Sequence, residues 1–208
     1  MIEHADRFWT SDQNDPHERQ QIQRGTAMVI PPEMLGTHVG PTLGHQMHRT
    51  HDIHFRVINA LFGHAGIEWN ITEASDREIE VLKKYIAFYK QHRGLLHSGR
   101  VVRSDLITEK AYLYGTVAHD KSEAIYSYMQ LTSNDNFGPH RATFEGLDGN
   151  RKYRISVVEE LSSDYYIQKK SPGWWPTLES TGDQLANIGL TLPGLVPDTG
   201  ILFHVVAI

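Results

Sequence analysis

The sequence predicts an α/β segment followed by an all-β one: the last βα units of a (β/α)8 barrel over residues 1–98, then an antiparallel β-sandwich over residues 99–208. Three features of the chain lead there. Before Gly99, short apolar runs alternate with helical periodicity, and alternating β and α units imply a parallel sheet flanked by helices. After Gly99, strand patterns and turn signals dominate, which favours antiparallel layers. The first half also holds only three strand-then-helix units, whereas a closed barrel needs eight and about 250 residues. The barrel's beginning is therefore expected outside these residues.

The first unit opens at Phe8. Trp9 precedes two carboxylates, Asp12 and Asp15, and a helix start follows at once. Asp15 can cap, Pro16 suits the first helical position and Glu18 stands three residues after the cap, which predicts a helix from about Pro16 to Gly25. An extended run that ends in a carboxylate before a capped helix is how barrel enzymes present catalytic groups. The same residues also describe a well-capped surface turn.

The second unit is the run Leu35–Val39, framed by Pro31-Pro32 and Gly40-Pro41. A helix is predicted from about Asp52, with Phe55, Ile58, Leu61 and Phe62 on one face before Gly63 ends it. The third unit opens with a strand over Gly66–Ile71. Its helix starts at Ser75-Asp76-Arg77-Glu78, a capping-box pattern, and carries Ile79, Leu82, Ile86 and Tyr89 as an apolar stripe.

In the second half, strands are predicted over Val101–Ile107, Ala111–Ala118, Glu123–Leu131, Ala142–Leu147, Lys152–Val158 and Gly200–Ala207. Alternation is clearest where Tyr153, Ile155 and Val157 interleave with Lys152, Arg154 and Ser156. Leu147-Asp148-Gly149-Asn150 reads as a tight turn in which Asp-Gly supplies left-handed backbone. Thr181–Ile188, followed by Gly189, reads as a short helix with its C-terminal stop.

The composition bounds the function. At 208 residues, 39% hydrophobic and 22% charged, the chain has room for real cores. A net charge of −5 argues against nucleic acid or an anionic membrane as partner. The absence of cysteine rules out disulfides and thiolate metal sites and suits a reducing compartment. The start shows no apolar signal core, and no stretch approaches the roughly 18 apolar residues of a spanning helix. A cytoplasmic protein is expected.

Two clusters invite competing readings. His45, His48, His51 and His54 recur every third residue with His38 nearby, and zinc takes three or four such ligands. The helix start at Asp52 breaks one rigid ligand face, so no metal is expected and the histidines read as loop and helix-surface residues. Trp174-Trp175, between prolines, could stack on a sugar or plug a gap between a loop and the sheet core; the plug is favoured.

The runs FWTSDQNDPHERQQIQRGT, VIPPEMLGTHVGP, HRTHDIHFR, ALFGHAGIEWNIT and YKQHRGLLHSGRVVR, in this order, resemble the C-terminal part of the family 36 glycoside hydrolases, the α-galactosidases. The resemblance spans nearly the whole chain and is strongest from Phe8 to about Arg103. It implies that Asp12 is the general acid/base, that Trp9 lines the galactose subsite, and that a C-terminal antiparallel domain follows the barrel. It also implies a retaining mechanism that needs no cofactor or metal. Two family features are absent: the Lys-Trp-Asp block that carries the nucleophile, and a cysteine- and glycine-rich loop just before Trp9.

Retaining glycosidases hold two carboxyl groups roughly 5–5.5 Å apart, one as nucleophile and one as acid/base. Asp12 would protonate the departing glycosidic oxygen and then deprotonate the attacking water, and needs burial or a neighbouring carboxylate to start protonated. Asp15 belongs to the helix cap. The expected substrates are α-galactoside oligosaccharides, and the expected partners an N-terminal barrel segment or further copies of the chain. Alone the chain is expected to be inactive or nearly so. The alternative is a non-catalytic carbohydrate-binding or subunit-interface module of the same family.

Overall fold

The computed structural model describes residues 4–104, 110–133, 140–164 and 171–208. The chain forms two compact units, Met1–His97 and Ser98–Ile208.

In the first unit, α1 (Pro16–Thr26) starts where the sequence predicts, with Asp15 as cap and Pro16 at the first turn. The capping box stays half-made. The Asp15 N–H goes to Gln13 Oε1 (3.2 Å), and Glu18 turns outward to Arg49 instead (2.5 Å). Strand β1 (Gly36–Val39) pairs in parallel with β2 (His64–Ile67), and Phe8 bridges Leu35 in parallel on the other side. The outer bridge is held by Phe8 N–H on Met34 O (2.7 Å) and Gly36 N–H on Phe8 O (2.9 Å). β2 is shorter than the expected Gly66–Ile71, because Ile71–Glu73 closes into a 3-10 turn capped by Asn70.

Helix α2 (Ile53–Ala60) is capped by Asp52 and buried along its whole length, Arg56 included, rather than on one face. That burial is tolerable because Arg56 donates to Gly40 O (2.9 Å) and to the Glu78 carboxylate, while Trp69 covers it at 4.6 Å. Helix α3 (Asp76–Ser98) begins at a reciprocal Ser75–Glu78 box. Its buried stripe is Val81, Leu82, Tyr85, His92 and Leu96, rotated from the expected one so that Tyr85 faces inward and Ile86 is 37% exposed. No helix among the described residues is long and apolar enough to cross a membrane.

The second unit is built on one six-stranded sheet in the order β3-β4-β5-β10-β7-β8. Its strands are β3 (Arg100–Ser104), β4 (Ala111–Val117), β5 (Glu123–Gln130), β7 (Lys152–Val157), β8 (Thr177–Thr181) and β10 (Thr199–Ala207). All pairings are antiparallel, with Phe203 of β10 opposite Tyr126 on one side and Val157 on the other. Residues 105–107 of the first expected strand lie outside the described residues.

A two-stranded ribbon, β6 (Arg141–Ala142) with β9 (Leu190–Thr191), and the short helix α4 (Gly182–Asn187) contribute to the same apolar core. Where the sequence predicts two layers of strands, the described residues thus give one large sheet and a minimal second one. The expected strand Ala142–Leu147 stops after Ala142: Phe144 N–H leaves the ladder for Leu185 O in α4 (2.9 Å), and Gly146 then turns the chain at a positive φ of 91°. β8 escapes sequence reading because Thr177-Leu178-Glu179-Ser180-Thr181 is a polar edge strand with a single apolar side chain.

In the core, Tyr126 and Phe203 meet Phe144 edge-on. Gly115 is required beside them: a Cβ there would stand 2.3 Å from the Tyr126 ring. The turn at Asp148 forms differently from the expectation. Asp148 accepts from Asn150 N (3.0 Å) and Arg151 N (3.1 Å), and Gly149 is not among the glycines at positive φ. Trp174 and Trp175 pack half-buried against this core and donate to Thr191 O (2.8 Å) and Glu159 Oε1 (2.9 Å), as a plug does.

Candidate active site

Parallel strands present their C-terminal ends at one edge of the sheet. In the first unit that edge carries Trp9 and Asp12 after the Phe8 bridge, His38 near the end of β1 and Glu68 just after β2. Glu68 N–H still reaches Val39 O (3.0 Å), so the sheet runs up to the site.

Trp9 and Asp12 are brought together. Trp9 Nε1–H donates to Asp12 Oδ1 at 2.9 Å, and both side chains are exposed, Trp9 by 52%. One face of the indole lies on His38, with centroids 4.7 Å apart and planes 18° from parallel. Gly36 and His38 are two residues apart on β1 and so share its face. A Cβ on Gly36 would meet the indole Cε3 at 2.9 Å, so this glycine is what lets the ring lie flat on the strand.

The loop bearing Asp12 is clamped from below by Arg19. Its guanidinium is fully buried and donates to Ser11 O (3.0 Å), Gln13 O (2.9 Å) and Gly36 O (3.4 Å), tying the loop to β1. From the other side, Gln46 Nε2 donates to Asp12 O (2.8 Å) and Asn14 Oδ1 accepts from His45 N (3.0 Å). Nothing in the sequence marks Arg19 for this role, since an arginine on a helix reads as solvent-facing.

Asp15 is wholly buried. It caps α1 through His17 N (2.9 Å) and Glu18 N (3.2 Å), and its second oxygen binds Arg49 Nε (2.9 Å) and His51 Nε2 (3.2 Å). Burial alone would raise its pKa; hydrogen bonds from His51, Arg49 and the helix start outweigh it and hold the carboxyl below its ordinary value. It is a structural anion, four times bonded.

The histidine run is dispersed. His51 sits on Asp15, His54 pairs with its own Asp52 (2.8 Å), and His45 and His48 are exposed. His38 is 3% exposed, with the Glu68 carboxylate 2.8 Å from Nε2 but without hydrogen-bond alignment at either ring nitrogen. Burial, and after it the Arg19 charge, push the imidazole down to about 4, against smaller opposing pulls from Asp12 and the Gln13 backbone. The ring is neutral at pH 7. Glu68 carries no motif that would have singled it out beforehand.

Comparison with known proteins gives a consistent result. The family model described as melibiase matches residues 1–99, and that of the glycosyl hydrolase family 36 C-terminal domain matches residues 111–204. An α-galactosidase of Escherichia coli is 35% identical over 97% of this chain, which spans 29% of that protein. The crystal structure of an α-galactosidase from Lactobacillus brevis superposes with a TM-score of 0.84 at 32% identity, covering 100% of this chain and 27% of the other. A variant of α-galactosidase AgaA from Geobacillus stearothermophilus, solved with raffinose, gives a TM-score of 0.82 at 27% identity, covering 97% of this chain and 26% of the other.

Proposed function

Because the chain belongs to glycoside hydrolase family 36, we propose that it supplies the acid/base half of a retaining α-galactosidase site. The observation that carries this reading is the exposed Asp12 carboxylate, held by the Trp9 indole just after the parallel Phe8 bridge in a loop fixed by a buried arginine. In this reading residues 1–98 are the closing βα units of the barrel and residues 99–208 its C-terminal antiparallel domain.

Asp12 has two oxygens with different tasks. Trp9 Nε1–H fixes Oδ1 and leaves Oδ2 to handle the proton. Asp12 first gives that proton to the glycosidic oxygen as the bond to the anomeric carbon breaks. A carboxylate from residues outside this chain attacks the same carbon. Asp12 then takes a proton from water, which attacks the galactosyl-enzyme from the face the leaving group vacated, so configuration is retained. The free face of Trp9 suits the apolar face of a galactose ring. By analogy with the relative solved with raffinose, the substrates are galactosyl-terminated oligosaccharides of that kind; a sequence without cysteine suits a cytoplasmic setting.

With its nucleophile elsewhere, the chain acts with an upstream barrel segment, and the open edges of its short parallel sheet give that segment a place to pair. The test is hydrolysis of a chromogenic α-galactoside by the chain alone and with an upstream family 36 segment. The reading expects turnover only in the mixture, abolished by Asp12→Asn. Turnover by the chain alone would contradict it. Galactose binding with no turnover in either case would favour a carbohydrate-binding or interface module.

A further inference from the structure

We infer that His38 is a positioning residue for this hydrolysis: its buried imidazole is the floor on which Trp9 lies, and through Trp9 it sets where the Asp12 carboxylate stands. The inference rests on the reading of Asp12 given above and adds a role for a side chain that touches no substrate.

A buried polar ring needs a reason. Buried imidazoles are almost always hydrogen-bonded, and one left unpartnered costs stability. Among the described residues neither ring nitrogen of His38 has a well-aligned hydrogen-bond partner, although the ring is 3% exposed; the Glu68 carboxylate stands 2.8 Å from Nε2 and the Gln13 backbone lies beside the ring. These off-axis polar contacts offset only part of the cost of burying it. The contact it does make well is flat stacking on Trp9, at 4.7 Å and 18°.

The arrangement leaves Trp9 little choice of position. Gly36 removes the Cβ that would lift the benzo end of the indole, and His38 supports it two residues further along the same strand face. With the plane set, Nε1–H points at Asp12 Oδ1, 2.9 Å away. The electrostatics keep the floor neutral, since burial and then the Arg19 charge oppose an imidazolium more strongly than Asp12 and the Gln13 backbone favour one. Glu68, 2.8 Å from Nε2, holds the far edge of the ring. A displacement of about 1 Å at a reacting group can cost a hundredfold in rate, so support at this remove matters.

The test compares His38→Ala, which removes the floor, with His38→Phe, which keeps a flat neutral ring. In the full chain, solvent exchange of the Trp9 indole N–H, assigned with Trp9→Phe, is expected to quicken about tenfold in His38→Ala and to stay within about twofold in His38→Phe. In the mixture with the upstream segment, His38→Ala is expected to lower kcat about tenfold and to raise KM by less, and His38→Phe to restore most of both. Equal losses in the two variants, or unchanged indole exchange in His38→Ala, would overturn the inference. Absence of turnover in every mixture, wild type included, would overturn the α-galactosidase reading instead, and the indole exchange would still decide whether His38 is the floor.

Discussion

Both units of this molecule have apolar cores, but they differ in what else they bury. Around the candidate site, the first unit buries charge: Arg19, Arg56 and Asp15 are at most 2% exposed, and each satisfies backbone or partner charges at short range. The second unit buries aromatic rings, with Tyr126, Tyr128, Tyr153, Phe144 and Phe203 all nearly inaccessible in one apolar core. Apolar packing is non-directional and suits a domain that must only be stable. Guanidinium hydrogen bonds are directional and suit a loop whose carbonyls, and hence whose Asp12, must stay in one place. The lesson is that the unit bearing the candidate site accepts desolvated charge around it, where, among the described residues, the second unit does not.

That contrast can be tested by perturbing each side. Phe203→Ala should cost about 3–5 kcal/mol, seen in urea unfolding and in lost amide protection along β5 and β10, with the amides of α2 unaffected. Arg19→Met should cost about 3 kcal/mol by leaving three carbonyls unpaired, with protection lost around residues 8–14 and at β1 and retained across the large sheet. If Arg19→Met instead destabilised both units alike, the separation drawn here would be wrong.

Acid separates the units next. Burial acts against ionisation of Glu78, but hydrogen bonds from Thr42, Ser75 and Arg56 prevail and hold it at about 2 against an ordinary 4.5. Its folded pKa is depressed, so its contribution is complete above pH 4.5 and lost as pH falls towards 2. Asp15 and Asp52, also lowered, act in the same direction. His38 is held down at about 4, so the unfolded chain takes up its proton first and stability already declines as pH falls from 6.5 to 4. In the second unit, half-buried His140 adds a smaller loss, and the lowered carboxyls Asp120 and Glu179 are exposed and screened. Amide exchange at decreasing pH should therefore show the first unit opening before the second; simultaneous opening would contradict the assignment.

Smaller effects sharpen the same picture. Gly115→Ala should cost about 1–3 kcal/mol by overpacking against Tyr126. Asp12→Asn should change unfolding free energy by less than about 0.5 kcal/mol, because the side chain is exposed and, among the described residues, its hydrogen bond is to an exposed indole.

What the sequence makes legible follows from the range of the interactions involved. The caps at Asp15 and Asp52, the Ser75–Glu78 box and the alternation of β7 are local and were readable in order. Trp9 and Asp12 are three residues apart, so their pairing is nearly local as well. The rotated face of α3, the stop after β6 and the edge strand β8 depend on partners distant in the chain. The supports of the site are of that second kind. Arg19 reaches back to Ser11 and across to Gly36, Gln46 returns to Asp12 from another loop, and Glu68 meets His38 only because β1 and β2 are adjacent. Periodicity carries no trace of them.

The role given to Asp12 is tested most directly by chemical rescue. In the mixture of this chain with an upstream family 36 segment, Asp12→Gly would be given an aryl α-galactoside with a good leaving group, which needs no acid, together with azide. The account predicts that azide restores turnover and that the product is the α-galactosyl azide, formed by attack on the galactosyl-enzyme from the face Asp12 once served. A β-galactosyl azide would make Asp12 the nucleophile, and no rescue at all would remove it from the acid/base role.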